Sequence, residues 1–172
     1  MDDMADGWGE AIGSHPDEFE GVDPGEGVVL HLSQPERLLL RAIRGWVAAA
    51  KASEDPFDAI RPDLVRHGLG NAAHSVDYML RATALSASRP ITVNCPPCQA
   101  LSPDEARMLH AAARAQCGEP GDACLLLTSW LPPSSARLAQ QAVTGIAVIF
   151  DGQGYRFPLR RWRFPELHGG ET

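Results

Sequence analysis

Pro132-Pro133-Ser134-Ser135-Ala136-Arg137-Leu138-Ala139-Gln140-Gln141-Ala142-Val143-Thr144-Gly145-Ile146-Ala147-Val148-Ile149-Phe150-Asp151-Gly152-Gln153-Gly154-Tyr155-Arg156-Phe157 is the stretch whose reading decides the fold. Read with a helical period and capped by Ser134 or Ser135, it sets Ala139, Ala142, Val143, Ile146, Ala147 and Phe150 on one stripe. Read as a hairpin, Ile146-Ala147-Val148-Ile149-Phe150 and Tyr155-Arg156-Phe157 flank the turn-like Asp151-Gly152-Gln153-Gly154. The helix is favoured because its pattern runs longer and the alanines before Val143 suit a helix and not a strand. The consequence is an all-α fold, a small orthogonal helical bundle of five or six helices. The alternative is α+β, with a C-terminal β-hairpin at 144–158.

Working back along the chain, the other elements also read as helices. Ser33-Gln34-Pro35-Glu36 is a capping box, a serine followed three residues later by a glutamate that reaches back to its N–H. Leu39, Ile43, Trp46, Val47 and Ala50 then recur at helical spacing, which predicts a helix from about Pro35 to Ser53. A shorter piece is expected around Phe57 to His67, where Pro62 is acceptable only near a helix start. A third helix, about Ala72 to Leu85, places Val76, Met79, Leu80 and Thr83 inward. Ser102-Pro103-Asp104-Glu105 is a second capping box and opens a helix to Gln116, with Leu109, Ala112, Ala113 and Gln116 inward. Asp122 is expected to cap a short helix whose run Cys124-Leu125-Leu126-Leu127 is deeply buried. Ile91-Thr92-Val93 is a candidate strand in the connector, but one short strand makes no sheet.

Charge is distributed unevenly. Residues 1–32 hold nine acids (Asp2, Asp3, Asp6, Glu10, Asp17, Glu18, Glu20, Asp23, Glu26) and no Lys or Arg, against a net charge of −7 for the whole chain. With six glycines, two prolines and only Trp8 and Phe19 as aromatics, this segment has too little apolar surface to offset the entropy of ordering. The expected organisation is a disordered acidic arm at 1–32, one helical domain at 33–165 and a flexible tail at 166–172. At the other end, Tyr155-Arg156-Phe157-Pro158-Leu159-Arg160-Arg161-Trp162-Arg163-Phe164-Pro165 sets four arginines among four aromatic rings. Such interleaving suits phosphates and bases, but it also caps a small core, because arginine stems cover apolar surface. Nucleic acid is disfavoured as a partner by a pI near 5.3. The acidic arm is expected to lie over this basic end and to compete there with an outside partner, in a manner weakened by salt.

The four cysteines, Cys95, Cys98, Cys117 and Cys124, admit three readings: a metal site, a redox pair, or core residues. In a helix starting at Ser102, Cys117 lies about 22 Å along the axis, whereas Cys98 can reach back only about 14 Å. The two therefore cannot share one zinc. His110, about 12 Å along, is within reach, so a zinc site of Cys95, Cys98, His110 and one more group such as His67 or His74 stays open. A thioredoxin-type activation is disfavoured, because Gln99-Ala100-Leu101 intervene before the helix cap and the βαβ setting is missing.

The chain of 172 residues can bury a core unaided. It has no apolar run long enough for a membrane span and no secretion-type start, and the expected location is cytoplasmic. No Gly-x-Ser-x-Gly elbow, phosphate loop or His-Glu-x-x-His is present. His67, His74 and His110 with Asp77, Asp104 and Glu105 are the acid–base groups on offer, two of them already in a capping role. The expectation is a non-enzymatic protein-interaction or regulatory protein without cofactor. It would bind another protein through Trp8, Phe19, Arg156, Arg160, Arg161, Trp162 and Arg163. The alternative is a small metal-binding or thiol-redox sensor centred on the Cys-x-x-Cys at 95–98.

Overall fold

The glycine-rich end of the deciding stretch closes a helix and does not turn a hairpin. Pro133–Gly152 is one continuous helix, and a Schellman motif terminates it. Gly154 takes the left-handed conformation, with φ 79°, its N–H donates to the Asp151 carbonyl and the Tyr155 N–H donates to that of Phe150. The Tyr155 ring then lies against Phe150. A glycine just past a helix and a glycine in a hairpin leave the same trace in a sequence, and only the long apolar stripe before it separates the two.

The computed structural model describes residues 29–164. After a single 3-10 turn at Val29–His31 come α1 (Gln34–Lys51), α2 (Pro56–Arg66), α3 (Ala72–Ser86), α4 (Pro103–Gln116), α5 (Pro120–Leu127) and α6 (Pro133–Gly152), with no strand element among the described residues. The protein is an all-α helical bundle. The expected arm at 1–32 falls almost wholly, and the tail at 166–172 wholly, outside the described residues.

Four local readings need correction. Pro62 sits inside α2 and not near its start; it is exposed, so the Asp58 carbonyl that loses its helical donor lies on the solvent side. α5 begins at Pro120, which puts Asp122 in the first turn and not at the cap. Only Ala123 and Leu127 of that helix are buried, while Leu125 is 68% exposed, because an eight-residue helix at the surface buries one side alone. Likewise α6 starts at Pro133 without a serine cap. Ile91-Thr92-Val93 is extended but joins no sheet: the Thr92 N–H donates to Asp104 and its carbonyl accepts from the Ser102 hydroxyl.

α4 is the centre of the molecule. Ten consecutive residues, Asp104 to Ala113, are buried, which is more than one inward stripe accounts for. α5 and α6 pack on it, α1 touches it, and the chain after α6 covers a further side. α3 lies along α6, where Gly145 permits close approach: a Cβ there would meet the Ser75 hydroxyl at 2.8 Å. Trp130, Phe150, Leu39, Ile43 and Met79 fill the interior.

Candidate functional site

The two capping glutamates carry the site. Glu36 accepts from the Ser33 N–H at 2.7 Å, as its position in α1 requires, and is buried. A buried carboxylate has acceptor capacity left after one such bond and needs further donors. Arg160 supplies them, donating from Nε at 2.6 Å and from Nη2 at 2.8 Å, and the same Nη2 donates to the His31 carbonyl at 2.9 Å. One guanidinium therefore fastens the chain after α6 to the place where the described chain begins.

The path to Arg160 is set by α4. The Gln116 side chain donates to the Tyr155 carbonyl at 2.9 Å and accepts from the Phe157 N–H at 2.8 Å, pairing with the backbone much as a neighbouring strand would. Phe157 is buried on Phe150 at 4.9 Å between ring centroids, a burial that contributes about 1.5–3 kcal/mol. Further along, Phe164 meets the Arg107 guanidinium at 4.8 Å and the His110 ring at 6.1 Å. The segment thus runs over α4 from its end towards its start. On the outer side, Arg161 and Arg163 are exposed with no ion pair among the described residues, Trp162 is half-buried beside Arg160, and Leu159 is exposed. Arg156 is exposed and pairs with Asp151. Of the residues expected to bind a partner, Arg161, Trp162 and Arg163 are brought together, Arg160 is turned inward as the fastener, and Trp8 and Phe19 lie outside the described residues.

The second capping glutamate builds the neighbouring wall. Glu105 accepts from the Ser102 N–H at 2.8 Å and pairs with Arg44 of α1 at 2.7 and 3.0 Å. Arg44 also donates to the carbonyls of Cys98 at 2.5 Å and Ala100 at 2.7 Å, so the cysteine loop is held on the same pair. The Val29 N–H donates to Gln99 in that loop at 2.9 Å. Next to Glu105, Asp104 takes Arg89, Arg107 and the Thr92 N–H. Burial works to raise the Asp104 carboxyl, but the hydrogen bonds from Arg89 and Thr92 and the charges of Arg89 and Arg107 outweigh it and hold the group below its ordinary value. Asp77 is likewise engaged, by the Trp46 indole and by Arg81.

The zinc arrangement is not assembled. Among the described residues no three His, Cys, Asp or Glu side chains gather to hold a metal ion, so Cys95, Cys98 and His110 do not form a ligand set. The reason lies in α4: His110 faces the Phe164 ring, while the cysteines sit in the loop before the helix starts. His110 is buried and held neutral, its pKa pushed down to about 4, first by burial and then by the charge of Arg114. Its Nε2 accepts from Arg114 at 3.3 Å and its Nδ1 has no partner among the described residues. The roles of Glu36, Arg44, Glu105 and Gln116 were not legible as a site; the capping-box pattern marked both glutamates, but no local signal marks their arginines.

No family, no curated protein and no solved structure matches this chain. Among the described residues no helix is long and apolar enough to cross a membrane.

Proposed function

We propose that this is a non-enzymatic protein-interaction or regulatory protein of the cytoplasm, which binds another protein through Arg161, Trp162 and Arg163 in competition with its own acidic N-terminal segment. The observation that carries the reading is the fastening at Arg160. It holds the described start of the chain, which nine acids precede, beside two exposed arginines that have no ion pair among the described residues. Arg44 with Glu105, and Asp104 with Arg89 and Arg107, are engaged in internal pairs that build the fold. A partner with acidic groups suits this surface, with Trp162 and Leu159 supplying apolar contact. Nucleic acid fits poorly, because a phosphate backbone would approach the same acids.

The test is a photo-reactive group placed at position 162 of the full chain, cross-linked in extract of the source cell at low and high salt. The expected result is one product shared by the wild type and a Cys95→Ser/Cys98→Ser variant, and lost on high salt or in Arg161→Gln/Arg163→Gln. Cross-linking indifferent to both arginines and to salt overturns the reading.

A further inference from the structure

We infer that Cys95 and Cys98 are a reversible dithiol–disulfide pair, a redox modification site that exchanges with low-molecular-weight disulfides of the glutathione type, independently of any partner bound at Arg161 and Arg163. Cys95-Pro96-Pro97-Cys98 is a turn closed by the Cys98 N–H donating to the Cys95 carbonyl at 3.0 Å. Such a turn brings its first and fourth Cα atoms within about 7 Å, and a disulfide spans about 4.4–6.8 Å between Cα atoms. Both thiols are free, Cys95 exposed and Cys98 half-exposed.

The turn is also clamped on both sides. Before it, the Asn94 N–H donates to Glu105 at 3.0 Å and the Asn94 side chain donates to the Ala100 carbonyl at 2.9 Å. After it, Arg44 takes the carbonyls of Cys98 and Ala100. The two proline rings fix φ between the thiols. Ring closure therefore removes little conformational freedom that the fold has not already removed. Cys117 and Cys124 have no comparable turn hydrogen bond between them; one caps the end of α4 and the other lies within α5.

In the first step the exposed Cys95 thiolate attacks one sulfur of the small disulfide, forms a mixed disulfide and expels one small thiolate. In the second the Cys98 thiolate attacks the Cys95 sulfur, forms the intramolecular bond and expels the second. The protein loses two electrons and two protons, and the small disulfide gains both as two thiols. The next residue, Gln99, holds the Val29 N–H, so the ring closes one residue from a contact that holds the described start of the chain.

The test uses the full chain equilibrated in glutathione buffers from reducing to oxidising, quenched in acid, alkylated and mapped by mass spectrometry. The expected result is one two-electron transition. It links Cys95 to Cys98 within a chain, leaves Cys117 and Cys124 alkylated, reverses with dithiothreitol, and persists in Cys117→Ser/Cys124→Ser. In Cys98→Ser, glutathione should remain on Cys95 at about tenfold or more the wild-type level, since the resolving thiol is gone. Any of three results overturns the inference: wild-type protein that accumulates glutathione on Cys95 without closing the ring, a pair that stays alkylatable across the range, or a bond from either cysteine to Cys117, Cys124 or a second chain.

Discussion

α1 and α4 begin with the same four-residue device and put it to different ends. In each, a serine precedes a glutamate by three residues, the glutamate turns back to the serine N–H, and burial obliges it to recruit an arginine from far along the chain. At α4 the arginine is Arg44 of α1, and the pair is sealed, its side chains 3% and 0% exposed. At α1 the arginine is Arg160, 14% exposed, from the chain beyond α6. The first pair ties helix to helix. The second ties the segment after α6 to the bundle, and so aims Arg161 and Arg163 outward. A local capping signal thus places a carboxylate, and the tertiary fold decides what the carboxylate is for.

The largest way to break this comparison is Glu105→Gln, which leaves Arg44 buried without its counter-charge. A loss of about 3–5 kcal/mol is expected from breaking a sealed pair, read by urea unfolding, and the loss should exceed that of Glu36→Gln. A smaller effect sharpens the α4 side through His110. The folded imidazole stays neutral down to about pH 4, whereas the unfolded one takes a proton near its ordinary value of 6.5. The unfolded chain therefore binds more protons in that window, and stability should fall as pH drops from 6.5 towards 4, by up to about 1.4 kcal/mol per pH unit. His110→Leu should flatten that part of the profile; a slope unchanged by the substitution would place its origin elsewhere. The smallest effect is expected of Arg161→Gln/Arg163→Gln, within about 0.5 kcal/mol of wild type, because these side chains face solvent while the neighbouring Arg160 does the fastening.

The helices were legible because each carries local marks: the capping boxes at Ser33 and Ser102, the apolar stripe of α6, and the inward face Val76, Met79, Leu80 and Thr83 of α3, all four buried. The features that escaped were non-local. Nothing near Glu36 points to a partner 124 residues away, and nothing near Glu105 points to one 61 residues away. The course of Tyr155 to Phe164 depends on the Gln116 side chain, which the α4 stripe placed inward without marking what it holds, and on the Phe157 and Phe164 rings, which have no periodic pattern to announce them. For the same reason the burial of α4 on all sides was not visible: its polar residues Asp104, Arg107 and His110 are covered by the extended segment and the 89–101 connector. The basic aromatic cluster was visible as composition, but its division into one inward arginine and two outward ones required the fold.

Arg160 and Glu36 act as one fastening, and a double-mutant cycle tests that most directly. Glu36→Gln, Arg160→Gln and the double variant are to be compared by equilibrium unfolding of the full chain. The predicted result is a favourable coupling energy of about 1.5–3 kcal/mol, as for a buried, charge-assisted pair of hydrogen bonds. Single losses that simply add, within about 0.5 kcal/mol, would contradict it and detach the basic segment from the start of α1.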